Sequence, residues 1–353
     1  MAYPFSDDHD MIREAARGFL QDWYDGGKGP ERIYKSGSTF DADAWKGFAR
    51  DLGMAGIAID EAHGGAGLGD LGLVVVMEEL GASLCSIPFL TTGGIVAKLI
   101  SKVGSQDIKD TYLSKVATGQ LRVAYCDGHQ AKDKKVFSVV NADCADMIFL
   151  SRAKDKILEI TAIPVETTGF VITSKQTMDP TRSFCDLDWS TVQDADIKII
   201  GQINEADLND IVTQSFIALA AECVGGAQAC LDMTLEYTGQ RVQFGRTIAS
   251  FQAIKHRVAD MFILLEAARS AVYAAAIAPK EEKTEAALIA KAYATEAFYK
   301  IAGDAIQLHG GIGFTWEYPL HFFFKRARAN KSMFGTAEDN YEVLASRLLG
   351  DVA

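Results

Sequence analysis

No two cysteines stand at CxxC spacing, and no two histidines form an HxxxH or HExxH pattern. The six cysteines (Cys85, Cys126, Cys144, Cys185, Cys223 and Cys230) are scattered along the chain. They read as buried, reduced thiols, and no structural metal site is expected. Basic charge is also scarce. Thirty-five Lys and Arg face 47 Asp and Glu, a net charge of −12, which argues against nucleic acid or an anionic membrane as the main partner. A local basic pocket for an anionic ligand is still compatible with that balance. The first ten residues, MAYPFSDDHD, are acidic where a leader peptide would be basic, and no apolar run approaches the roughly 18 to 20 residues of a membrane span. The expected location is the cytoplasm. What the chain does have is length and an ordinary globular composition: 353 residues, 48% hydrophobic and 23% charged, enough for two or three structural units.

Three segments follow from periodicity. Residues 1–118 read as helical. Ser6, followed by Asp7 and Asp8, resembles an N-cap with an acidic first turn, and Met11, Ala15, Phe19 and Leu20 recur at helical spacing. The loop EAHGGAGLGD (Glu61 to Asp70) precedes an apolar helix from Leu71 to Leu80, expected to end on Gly81. Its GGxGxG spacing, with no strand-to-helix unit around it, reads as a glycine-dependent turn before it reads as a phosphate cradle. Residues 119–205 change to short runs with period two, such as LRVAYC, MIFLS and KILEITAIPV, separated by turn residues. This is a small β domain. Residues 206–353 return to helix. Phe251, Ile254, Val258, Met261 and Leu265 mark one stripe, and Pro279 separates it from a helix over about 281–308.

Several motifs sit in this helix–β–helix order. One is QRVQFGRTIASFQAIKHRVADMF (Gln240 to Phe262), an Arg-x-x-Phe-Gly followed by a Phe-Gln helix start. A second is QLHGGIGF from Gln307, and a weaker third combines Glu-x-x-Gly-Gly with Glu78-Glu79-Leu80-Gly81. Together they resemble the acyl-CoA dehydrogenase family. The resemblance implies an α+β fold: an N-terminal helical domain, a small, shortened central β-barrel domain and a C-terminal four-helix bundle. It implies FAD as cofactor, an acyl-CoA thioester as substrate, a tetramer, and an electron-transfer flavoprotein as a possible electron acceptor. In the family a base takes the α-proton while the β-hydrogen leaves as hydride to the flavin. Carried over by motif, Arg241 and Phe244 would meet the diphosphate and adenine of a neighbour's FAD. Gln252 and Gln307 would hydrogen-bond the cofactor, Gly310 and Gly311 would let the backbone approach it, and Thr336 would touch it as well.

The departures from the family are as specific as the matches. Where most members carry the glutamate base, just before Gly335-Thr336, this chain has Phe334. The alternative base position falls at Ser215, followed by Phe216 where an arginine is common. No catalytic base is therefore identified. Glu338, one helical turn on, would need a shift of about 6 Å to replace it. The β domain lacks the Thr-Glu-Pro-like loop and Trp-x-Thr/Ser element that cover the flavin ring, since Tyr125 to Ser151 contains neither, whereas Asp179-Pro180-Thr181-Arg182 resembles a later turn. Three readings are open: the base-less subunit of a hetero-oligomer that completes a partner's FAD site, a homo-oligomeric dehydrogenase with another base, and a non-catalytic homologue.

Overall fold

The structure, a computed structural model, describes residues 5–350 except 129, 130, 155 and 156, and the backbone alone at 27 and 28. The first four residues of the acidic N-terminal stretch, and two residues of the segment from Tyr125 to Ser151, therefore lie outside the described residues. The chain opens with α1 (Asp7–Trp23), α2 (Pro30–Ser36), α3 (Ala42–Ala44), α4 (Gly69–Ser83), α5 (Ala97–Val103) and α6 (Gln106–Ala117). Seven strands follow: β1 (Val123–Cys126), β2 (Lys135–Val140), β3 (Met147–Lys154), β4 (Ile157–Pro164), β5 (Val171–Ser174), β6 (Phe184–Asp188) and β7 (Lys198–Ile203). Then come α7 (Glu205–Gln214), α8 (Phe216–Gln240) and a hairpin of β8 (Val242–Gln243) and β9 (Arg246–Thr247). The last four helices are α9 (Gln252–Ile277), α10 (Lys283–His309), α11 (Leu320–Ser332) and α12 (Ala337–Leu349). The expected helix–β–helix order is what the chain adopts.

Packing divides these elements into two compact units. One holds residues 33–73 and 86–215, the other residues 1–32, 74–85 and 216–353. In the first unit, β1-β3-β4-β7 form one sheet and β2-β6-β5 another. Along β3 the period-two rule divides the side chains between two cores. Phe149 joins residues of α5 and α6 such as Leu99 and Val116, while Ile148 and Leu150 join Leu187 and Cys185 of the second sheet. A sheet buried on both faces in this way explains why β4 is buried from Leu158 to Ile163, Glu159 and Thr161 included. The glycine-rich loop is a turn, as its spacing suggests. A Cβ at Gly65 would overlap the carbonyl of Ile59, a backbone demand and not a ligand cradle.

In the second unit, Ser6 takes the N-cap of α1 and pairs its hydroxyl with the His9 ring at 2.8 Å. Of the helical stripe, Leu20 is buried with Ala16 and Trp23, whereas Met11 is exposed. The helix expected to stop at Gly81 continues to Ser83. Gly81 is there for packing. A Cβ on it would overlap the carbonyl of Glu222, and one on Gly225 would overlap that of Glu78, so α4 and α8 cross backbone to backbone. Gly225→Ala is expected to force the two helices apart and cost about 1–3 kcal/mol, read as a lowered denaturation midpoint with unchanged slope. In α9 the stripe is buried only from Met261 and Leu265 onward. Phe251, Ile254 and Val258 are half-buried because the first turns of that helix have little of this chain against them.

The long helical stretch 205–240 corrects one expectation. By length and composition it could cross a membrane, yet 78% of its apolar window is buried within the protein, where α8 forms the centre of the bundle. All six cysteines are free and buried, as their scatter suggests.

Candidate functional site

The motif residues converge at one end of the helical bundle. Helices α9 and α10 run antiparallel, and an Arg257–Asp304 ion pair at 3.8 Å sets their register. Arg257 is five residues into α9 and Asp304 five residues from the end of α10, so Gln252 starts α9 beside the Gln307–Gly311 end of α10. Both glutamines are exposed, and neither amide is committed to another side chain among the described residues. The N-cap of α9 is Phe251, which makes no side-chain cap; the Ile254 N–H turns back to the Phe251 carbonyl at 3.1 Å, and the N–H groups of Gln252 and Ala253 have no partner among the described residues. Gly310 has φ 63° and ψ −139°, a conformation open essentially to glycine alone, and no atom lies within 4 Å of a Cβ placed on Gly310 or Gly311. Guanidinium, amides, free helix N–H groups and bare backbone form a donor set that suits a diphosphate.

The Arg-x-x-Phe-Gly motif forms the hairpin. Phe244 and Gly245, both left-handed at φ 53° and 76°, make a two-residue turn of the type that joins tightly twisted strands. Phe244 is 91% exposed, and its ring meets the Phe251 ring edge to face at 6.2 Å. A phenylalanine in the left-handed region is uncommon, and here its side chain is left open to solvent. Arg241, where α8 passes into the hairpin, is exposed, and its guanidinium makes no ion pair among the described residues. Arg246, not read as a site residue from the sequence, stacks its guanidinium 4.1 Å over Phe251.

His309 is a second residue that motif reading passed over, although it lies inside QLHGG. Its ring sits between Tyr237 at 4.3 Å and Tyr318 at 4.7 Å, and Nδ1–H donates to the Ala305 carbonyl at 2.7 Å. Burial pushes its pKa below the ordinary value, so the neutral tautomer with the proton on Nδ1 holds the last turn of α10 just before Gly310.

The base position lies elsewhere in the bundle. Phe334 has φ 57° and stacks on Phe216 with ring centroids 5.5 Å apart and planes 12° from parallel. Lys291 of α10, fully buried, donates to the Phe334 carbonyl at 3.2 Å and to the Gly335 carbonyl. Gln307 is sixteen residues further along α10 than Lys291, roughly 24 Å of helix at 1.5 Å per residue. The structure therefore brings Arg241, Phe244, Gln252, Gln307, Gly310 and Gly311 to one end of the unit and leaves Thr336 with Phe334 far from them. Thr336 caps α12: its hydroxyl accepts from the Asp339 amide, while its backbone N–H, first, and then its hydroxyl donate to the Asp339 carboxylate and hold it below the ordinary range. Glu338 is exposed in the first turn of the same helix. Ser215 ends α7, its hydroxyl donating to the Ile211 carbonyl at 2.9 Å. Neither a hydroxyl spent on its own helix nor a phenyl ring can take up a proton.

In the β unit, the strand expected to lack the flavin-covering element is bulged. Pairing of β2 with β6 shifts register between Val136 and Val139, Ser138 has φ 62°, and Phe137 is turned out to solvent under the Lys175 ammonium at 5.5 Å. The Asp179 turn is an Asx turn, its carboxylate accepting from the Thr181 amide at 2.9 Å.

Known proteins carry the same pattern. The family description "Acyl-CoA dehydrogenase, N-terminal domain" matches residues 6–120, and "Acyl-CoA dehydrogenase, C-terminal domain" matches residues 212–349. The chain belongs to the acyl-CoA dehydrogenase family. Acyl-CoA dehydrogenase IpdE2 of Mycobacterium tuberculosis is 33% identical over 312 residues, 88% of this chain and 87% of that protein. Its namesake in Mycolicibacterium smegmatis is 29% identical over 97% of this chain and 99% of its own length. Among solved structures, butyryl-CoA dehydrogenase of Megasphaera elsdenii superposes with a TM-score of 0.89 at 24% identity, covering 99% of this chain and 100% of that one. The ChsE4–ChsE5 complex of Mycobacterium tuberculosis superposes with a TM-score of 0.84 at 21% identity, covering 100% of both chains. As an acyl-CoA dehydrogenase, the chain is of the oxidoreductase class. Two further solved relatives are described as complexes with FADH2 and with FAD, so the cofactor of this fold is a flavin.

Proposed function

We propose that this acyl-CoA dehydrogenase is the base-less subunit of a hetero-oligomer, in which a related chain carrying the glutamate acts on an acyl-CoA thioester. The observation that carries the reading is the stack of Phe334 on Phe216: the base position holds a ring packed on a second ring. The division of the motif residues into two groups supports it. The bundle end with Arg241, Gln252, Gln307 and Gly311 is exposed and uncommitted, as a half-site completed by another chain would be. Similar solved proteins include the ChsE4–ChsE5 complex and a protein described as Tcur3481–Tcur3483 steroid ACAD, each named for two components.

Flavin, when bound, supplies the hydride acceptor. The residues of this chain bind and orient. The Arg241 guanidinium would hold the diphosphate, and the α9 N-terminus and Gln252 would add donors. The Gly310–Gly311 backbone would admit the cofactor closely, and the exposed Phe244 ring would meet its adenine. Abstraction of the α-proton falls to the partner's carboxylate.

Flavin quantified per chain after denaturation tests this. Expressed alone, the protein is expected to be colourless, and co-expressed with a glutamate-bearing relative it is expected to carry flavin. One flavin per chain from the protein alone would sink the reading and point to a self-sufficient homo-oligomer. Phe334→Glu in the isolated chain is expected to give no turnover; a gain approaching the 10²–10⁴-fold that a positioned base contributes would show a complete flavin and thioester site.

A further inference from the structure

We infer that Lys291 is the positioning residue of the base-position segment: its buried ammonium grips the carbonyls of Phe334 and Gly335 and so sets the direction of side chain 334. The inference takes position 334 as the family's base position, and so rests on the reading above for its meaning.

Four observations converge on it. Lys291 is 0% exposed, in the middle of α10, on a buried helix face whose other side chains are uncharged, among them Ala287, Leu288, Ala294 and Thr295. A buried ammonium must be paired or hydrogen-bonded, and here two of its donors end on two successive carbonyls. Those carbonyls belong to residues that are both left-handed, Phe334 at φ 57° and Gly335 at φ 90°. A phenylalanine adopts that region only when its surroundings hold it there. Finally, the ammonium lies 5.4 Å over the Phe216 ring, the same ring on which Phe334 stacks, so one group anchors both the backbone and the packing partner of residue 334.

The grip reaches further along the chain. Gly335 leads directly to Thr336, the N-cap of α12, and the Asn340 amide closes onto the Thr336 carbonyl. Fixing 334–335 therefore fixes the start of that helix. Burial pushes the Lys291 ammonium down to about 8, and the titratable groups that face it are Cys223 of α8 and Asp339 of α12. Below that pH the ammonium is a local positive charge beside residue 334, and any ionisable group placed at 334 will feel it.

The test uses the full chain, co-expressed with a partner if one is required, and takes Phe334→Cys as a probe. All six native cysteines are buried, so alkylation by iodoacetamide reports on the introduced thiol. Its pH midpoint is expected below the ordinary value of about 8.5 and about one unit higher in a Lys291→Met background. Lys291→Arg is expected to restore the low midpoint. Lys291→Gln, which keeps a donor but loses the charge, is expected to behave like Lys291→Met in this assay. It also stands in if the methionine variant does not fold. In the native Phe334 background, Lys291→Met is expected to strip hydrogen-exchange protection at least tenfold from the amides of Gly335, Thr336 and Ala337 and to leave α8 unchanged. An unchanged midpoint together with unchanged protection, in any folded charge-removing variant, overturns the inference. Neither readout uses turnover or flavin content, so a failure here is distinct from a failure of the subunit reading.

Discussion

Replacing Arg241 by alanine is expected to weaken flavin retention by the assembled protein roughly 10- to 100-fold, the loss of one charge-assisted contact of about 1.5–3 kcal/mol. The expectation comes from the surroundings of the side chain. Arg241 is exposed at the end of α8 and pairs with no carboxylate among the described residues, so its removal is not expected to disturb the hairpin through lost ion pairing. The backbone there is held independently, the Ile248 amide donating to the Arg241 carbonyl at 2.9 Å. A change in flavin affinity with an unchanged unfolding midpoint would thus isolate a binding role. Arg241→Lys is expected to recover only part of the loss, because an ammonium cannot reproduce the planar fork. Equilibrium dialysis of the deflavinated assembly against FAD is the measurement, and an affinity within twofold of the native protein would remove Arg241 from the site.

Glu222→Ala is expected to destabilise the helical unit by about 3–5 kcal/mol. Glu222 and Arg326 form a buried ion pair at 3.1 Å, with side chains 4% and 2% exposed, and the Asn330 amide donates to the same carboxylate oxygen at 3.0 Å. Removing the carboxylate takes the ion-pair acceptor away from a guanidinium buried between α8 and α11. The pair itself contributes little, because desolvation offsets most of its attraction. A Glu222→Met, Arg326→Met double variant is therefore expected to recover most of the stability, and that recovery is the sharper test. Urea unfolding followed by far-ultraviolet circular dichroism measures both. A loss below about 1 kcal/mol for Glu222→Ala would mean the network is solvated in solution.

The two variants bear on different levels of organisation. The buried pair belongs to the architecture and says nothing about cofactor. Arg241 belongs to the surface, where one side chain can be lost with little effect on the fold. Most of the fold was legible because it rests on local rules. Ser6 with Asp7 and Asp8 reads as a helix start, Pro279 as a break, and the alternating runs between residues 123 and 203 as strands, each from a few neighbouring residues. Gly81 misled for the same reason. From sequence, a glycine after an apolar run looks like a helix end, and only the approach of the Glu222 backbone explains why glycine sits inside the helix.

Membership of the acyl-CoA dehydrogenases, the positions of Arg241, Gln252, Gln307 and Gly311, and the absence of a carboxylate at 334 and 215 are properties of the sequence alone, because they depend on residue identity at short spacing. The tertiary structure decided which of those residues meet. It placed these four, with Phe244 and Gly310, at one end of the bundle and separated Thr336 from them by the length of half a helix, a consequence of antiparallel packing that spacing does not encode. It also decided what surrounds residue 334. Phe216 and Lys291 lie 118 and 43 residues away along the chain, and nothing in their own neighbourhoods shows that an aromatic ring and a buried ammonium will close on that segment. Burial and long-range pairing give those two residues their meaning, and both are settled only when α8, α10 and α12 pack together.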